Sequence, residues 1–172
     1  MTYFAISQVL IGLAFICDIA SFQFRSRRAI LVCLVASTVV TAIHFFFLGN
    51  QSAGFLMLLA SARFSVASFS KRPEWMWFFF LVAVLTLFKT CEAPVNIVAF
   101  LASMLASFAS FRPTDKELRR WMMLATSTWA THNVLIGSPA AVLLELFFLG
   151  SNIVGYWRFY LRPPLIEAVE TA

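Results

Sequence analysis

Six long apolar runs, at 3–24, 29–48, 52–69, 94–111, 120–136 and 139–160, take up most of this chain. Each holds 17 to 22 residues, and about 20 residues of helix cross the ~30 Å hydrocarbon layer of a bilayer. A seventh run, 75–88, makes roughly 21 Å of helix. It spans if Glu74 and Lys89 snorkel and the bilayer thins. The breaks carry helix-stopping sequences: Gly49-Asn50-Gln51-Ser52, Lys71-Arg72-Pro73, the segment from Lys89 to Pro94, Arg112-Pro113-Thr114-Asp115 and Gly137-Ser138-Pro139. With 61% hydrophobic and 12% charged residues, against about 45–50% and about 25% in soluble domains, the expected fold is an all-α membrane protein of seven transmembrane helices.

The net charge of +5 does not point to nucleic acid, because the basic residues sit in short segments between apolar runs. They read as topology signals. With seven spans, one side holds Arg25, Arg27, Arg28, Lys71, Arg72, Arg112, Lys116, Arg119, Arg120, Arg158 and Arg162, and the other only Lys89. Arg63 is left inside the membrane. The asymmetry predicts a periplasmic N-terminus and a cytoplasmic C-terminus, with Trp75, Trp77, Trp121, Trp157 and Tyr160 near the cytoplasmic interface. No basic segment precedes the first run, so it is expected to be a retained helix and not a cleavable signal. Cys17, Cys33 and Cys91 form neither a disulfide framework nor a CxxC pair.

An offset of 88 residues superposes Thr38 on Thr126, Ala42 on Ala130, His44 on His132, Gly49 on Gly137, Ala53 on Ala141, Leu56 on Leu144, Leu58 on Leu146 and Val66 on Val154. That predicts two three-helix repeats, 3–70 and 94–161, joined by a linker helix at 74–90 and followed by a tail at 162–172. One intervening span makes the repeats parallel, a 3+1+3 arrangement with an axis along the membrane normal. Such repeats usually hold their site between the halves.

Five ionisable residues fall inside apolar runs: Asp18, Arg63, Glu145, His44 and His132. Each costs at least ~2.5 kcal/mol if a charged side chain sits at a helix centre, so it needs an interior, a partner or water. Asp18 and Arg63 are expected to form a buried ion pair within the first repeat. Trp129-x-x-His132-Asn133, with Glu145 on the next helix and His44 as the repeat counterpart, offers an aromatic face with donors and acceptors. That suits a small, partly polar ligand; helix–helix hydrogen bonding is the plainer alternative. Ala99, Ala102, Ser103, Ala106, Ser107 and Ser110 form a small-residue stripe that reads as packing. No enzyme motif, metal-ligand spacing or cofactor loop is present, so neither enzymatic activity nor a cofactor is expected.

The segments Ile43-His44-Phe45-Phe46-Phe47-Leu48-Gly49, Trp129-x-x-His132-Asn133 with Gly137-Ser138, and Asn152-x-x-x-x-Trp157-Arg158 resemble the bacterial inner-membrane protein family named for YgjV. The resemblance implies a multi-pass inner-membrane location and carries no activity with it. More distantly, the 3+1+3 arrangement resembles the SWEET and PQ-loop superfamily, which implies transport by alternating access. The first helix lacks the proline that superfamily often uses as a hinge; the fifth has Pro94 with Asn96 nearby. The candidate ligand-binding set is therefore Trp129, His132, Asn133, Glu145, His44 and Asn152. The expected function is a transporter or facilitator of a small solute. The alternative is a non-transporting membrane receptor or accessory subunit. The lipid bilayer and a small solute are the expected partners, and a homo-oligomer is compatible with this reading.

Overall fold

Prolines and hydroxyls at the breaks set where the helices begin. The computed structural model describes residues 3–47, 51–90, 94–135, 137 and 139–162. Over these the chain forms α1 (Tyr3–Ser21), α2 (Arg27–Phe47), α3 (Gln51–Phe69), α4 (Pro73–Thr90), α5 (Val95–Ser110), α6 (Asp115–Leu135) and α7 (Pro139–Tyr156), the last continued by a π-type turn at Trp157–Leu161. Pro73 and Pro139 open α4 and α7, where a missing N–H costs nothing. Thr114 caps α6, its Oγ1 accepting from the Glu117 N–H at 3.2 Å. Asp115 and Glu117 then complement the helix dipole in the first turn. Gly137 turns the chain between α6 and α7 with φ of 70°, a conformation that only glycine adopts without strain.

Among the described residues there are seven α-helices and no strand. One of them, α2, is long and apolar enough to cross a membrane unaided. The apolar stretches Ile6–Ser21, Gly54–Phe69, Pro73–Phe88 and Val95–Ser110 are shorter. The expected run at 3–24 is trimmed at its end: α1 stops at Ser21, and beyond it Phe22 and Phe24 turn their carbonyls toward α6. Gly49, Ser138 and the expected tail beyond 162 lie outside the described residues.

In the bundle, α2 packs between α1 and α3, and α6 between α5 and α7; α4 lies against α5. Lighter seams join α1 to α7 and α3 to α5. The contiguous apolar core gathers at one end of the bundle. It takes Phe22 from the end of α1, Ile30, Leu31 and Leu34 from the start of α2, Phe64 and Ala67 from the end of α3 and Met76 and Phe79 from the start of α4. Ala106, Ala109 and Phe111 come from the end of α5, and Leu118, Met122 and Ala125 from the start of α6. This end also carries most of the basic residues, so it is named the basic end below.

Outside that core, burial does not follow polarity as it does in a water-soluble protein. Ser7, Ser37, Ser107, Ser110, Asn152 and Arg119 are buried, while Leu13, Ile16, Val32, Phe55, Leu81, Leu85, Leu101, Leu124, Leu143 and Phe147 are exposed. Small and polar groups in helix contacts with large apolar groups outside is the arrangement hydrocarbon favours, since lipid tails solvate leucine as well as another helix does.

Candidate functional site

The far end of the bundle holds the expected ligand-binding residues of α6. The Trp129 and His132 rings meet edge to face with centroids 5.5 Å apart. His132 Nδ1 lies 3.4 Å from Asn133 Oδ1. Asn133 is buried and His132 half-buried, so the group pairs an aromatic wall with a hydrogen-bonding edge. Three of the six candidates therefore stand together.

The other three are occupied elsewhere. His44 donates its Nδ1–H to the Ser7 carbonyl at 2.7 Å, a bond from α2 to α1 inside a buried pocket. It acts as a helix–helix tie. Glu145 on α7 has no hydrogen bond or ion pair with either histidine among the described residues; its charged neighbour is Asp18 on α1. Asn152, buried to 1% exposure, donates Nδ2–H to the Arg119 carbonyl at 2.9 Å. It belongs to the basic end, two turns from Glu145 along α7.

The expected Asp18–Arg63 ion pair does not form. Arg63 Nη1 donates to Ser107 Oγ on α5 at 3.1 Å, and its guanidinium lies 4.8 Å from the Phe64 ring centroid. Asp18 instead hydrogen-bonds the Ser37 hydroxyl on α2. The reason is topological: α1 and α3 flank α2, so α1 turns its free face to α7 and α3 turns its own to α5.

Two arginines that read in the sequence as topology signals do structural work at the basic end. Arg119, on the first turns of α6, is wholly buried. It donates Nη1–H to the Phe22 carbonyl at 2.8 Å and Nη2–H to the Phe24 carbonyl, beyond the last turn of α1. The Phe22 and Phe159 ring centroids lie 5.6 and 5.2 Å from its guanidinium carbon. Asp115 Oδ2 sits 3.6 Å from its Nε and also accepts from the Tyr160 hydroxyl. Burial pulls Arg119 below the usual guanidinium range, and the Asp115 carboxylate opposes that shift. Gly155 on α7 lets this happen: a Cβ there would strike the Phe22 carbonyl oxygen and lie 2.6 Å from Arg119 Nη1. Arg27 opens α2 and does the same for α5, donating from Nη2 to the Ser110 carbonyl and from Nε to the Arg112 carbonyl, both at 2.6 Å.

The accepting carbonyls correspond: Phe22 and Ser110 are 88 residues apart, and so are Phe24 and Arg112. The lighter seams follow the same offset. Ser151 on α7 donates to the Ile19 carbonyl on α1 at 2.5 Å, as Arg63 on α3 donates to Ser107 on α5; Arg63 and Ser151, and Ile19 and Ser107, are each 88 residues apart. Backbone carbonyls leave no mark in a sequence, so only the offset itself could have pointed to these contacts.

A profile of a bacterial inner membrane protein family, the one named for YgjV, matches residues 5–163. The chain belongs to that family. It is similar to the inner membrane protein YgjV of Escherichia coli (strain K12), with 28% identity over 167 residues covering 94% of this chain and 90% of the relative. No solved structure matches it, and these comparisons do not show a SWEET or PQ-loop likeness. Membership in an inner-membrane family is consistent with the many leucines and phenylalanines exposed on the bundle surface.

Proposed function

We propose that this YgjV-family protein is a carrier or facilitator of a small solute, working by alternating access between two parallel three-helix halves, α1–α3 and α5–α7, with α4 as the linker. The observation that carries this reading is the correspondence of the polar contacts between the halves. The α1–α7 and α3–α5 seams exchange when one half is laid on the other, and so do the arginine-bound carbonyls of α1 and α5. Helix boundaries support it too: α2 and α6 both begin and end 88 residues apart, and α3 and α7 begin 88 apart. Two like halves meeting at light seams can rock against each other, with a site between them. In this conformation the packed core and both arginine clamps close the basic end, and the Trp129–His132–Asn133 group lies at the other. By the distribution of basic residues the basic end is cytoplasmic, with the N-terminus periplasmic and seven spans.

Purified protein in proteoliposomes, tested for uptake against a panel of sugars, vitamin precursors and organic acids, checks the carrier reading. The expected result is saturable flux of at least one class. Absence of flux across the panel, together with stoichiometric recovery of a second membrane protein from native membranes, would replace it with the accessory-subunit alternative. A reporter fused to the C-terminus that is active only in the periplasm would overturn the orientation and the parallel halves together.

A further inference from the structure

We propose that Arg63, with Ser107 across the α3–α5 seam, is a binding site for an anionic group, a carboxylate or phosphate carried by a small solute. Arg63 stands thirteenth in α3, roughly 18 Å along the helix from its start, and its side chain is half-buried. No carboxylate among the described residues pairs with it. Its Nη1 is committed to Ser107 Oγ, whose own hydroxyl proton goes to the Ser103 carbonyl at 2.9 Å. Nε is shut off from solvent and has no hydrogen-bond partner. A guanidinium cannot shed its charge the way a lysine can, so a cation at this depth is held at a large desolvation cost. The Nε edge is the side-on fork that takes a carboxylate or phosphate through two parallel hydrogen bonds.

The other seam shows what packing alone requires. At the position 88 residues on, Ser151 ties α7 to α1 with a hydroxyl-to-carbonyl bond, and its hydroxyl accepts from the Gln23 amide at 2.9 Å. Neutral groups therefore suffice to join such helices, and the arginine brings a charge and an unused fork that the seam does not need. Phe64 covers one face of the guanidinium, and Nε stays without a hydrogen-bond partner.

That the bound anion is a transported solute rests on the carrier reading above; that an anion binds does not. The test therefore reads binding and not flux. Protein in phosphatidylcholine nanodiscs is titrated with sodium acetate or sodium phosphate at constant ionic strength made up with chloride, and its thermal unfolding midpoint is followed. The wild type should show a saturable rise with at least one of the two. Arg63→Ser, which copies the opposite seam and keeps a hydroxyl in place, should fold and lose the rise. Arg63→Lys should need at least fivefold more anion, since a point charge replaces a fork. In discs containing phosphatidylglycerol, a raised midpoint that no longer responds to acetate would make a lipid phosphate the occupant of the same site. An equal rise in wild type and Arg63→Ser, or no saturable rise in the wild type with either anion or with the anionic lipid, overturns the proposal. Binding that persists without flux in proteoliposomes would retire the carrier reading alone.

Discussion

The two ends of this bundle are built on different principles. At the basic end, helices that stop in α1 and α5 have their last carbonyls taken by arginines that start α6 and α2, and a continuous apolar core lies beneath. At the far end the side-chain contacts described above are neutral: a histidine to a backbone carbonyl, a tryptophan ring against an imidazole, an imidazole beside an amide. Charge-assisted bonds between a guanidinium and two carbonyls are stronger and more directional than those neutral contacts. The end where the halves are clamped should resist opening, and the end where they are not should yield. In the proposed alternating-access reading, that inequality sets which end opens first.

Removing a clamp should break the comparison most. Arg119→Met strips two carbonyls and Asp115 of their buried partner and should destabilise by about 3–5 kcal/mol in reversible unfolding from mixed micelles. Arg27→Met, at a half-buried site, should lose about 1.5–3 kcal/mol by the same measurement. If both losses stay under about 1 kcal/mol, the range of exposed ion contacts, the basic end is not held by its arginines. Next comes the space that admits the Arg119 clamp. Gly155→Ala should cost about 1–3 kcal/mol by overpacking. Gly150→Ala, where a Cβ meets nothing within 4 Å, should be neutral or stabilise by up to about 1 kcal/mol. Equal effects at the two glycines would contradict the close approach of α7 to the end of α1.

The far end should respond less. His44→Phe keeps the ring volume but removes the hydrogen bond from α2 to the Ser7 carbonyl, a loss of about 1–1.5 kcal/mol. His132→Ala, half-buried and weakly bonded, should cost about 0.5 kcal/mol or less while changing the affinity for any solute that enters at that end. A stability loss above about 2 kcal/mol, typical of core deletions, would make His132 a packing residue and remove it from the site.

How much of this was legible in advance depends on the kind of contact. Trp129, His132 and Asn133 were found as a group because they lie within two turns of one helix, where spacing along the chain is spacing in space. The Asp18–Arg63 pairing failed because depth along a helix says nothing about the direction a side chain takes around it. Arg27 and Arg119 were recognised as basic and placed at the right end, yet their role was invisible, since their partners are peptide carbonyls that every residue possesses. Motif alone groups Asn152 with His132, whereas the fold sets it against Arg119.

By itself the sequence determined the number of helices, the breaks between them and the 88-residue offset, because hydropathy and helix-stopping residues act locally and are written residue by residue. It also determined that charges were left inside, since Asp18, Arg63 and Glu145 interrupt apolar runs wherever the helices go. Which charges meet was decided only by the tertiary structure. Setting α1 and α3 on opposite faces of α2 sends Asp18 toward α7 and Arg63 toward α5. A cation and a carboxylate of the same half are thereby kept apart, because helix faces are assigned by packing against neighbours that no single run of sequence contains.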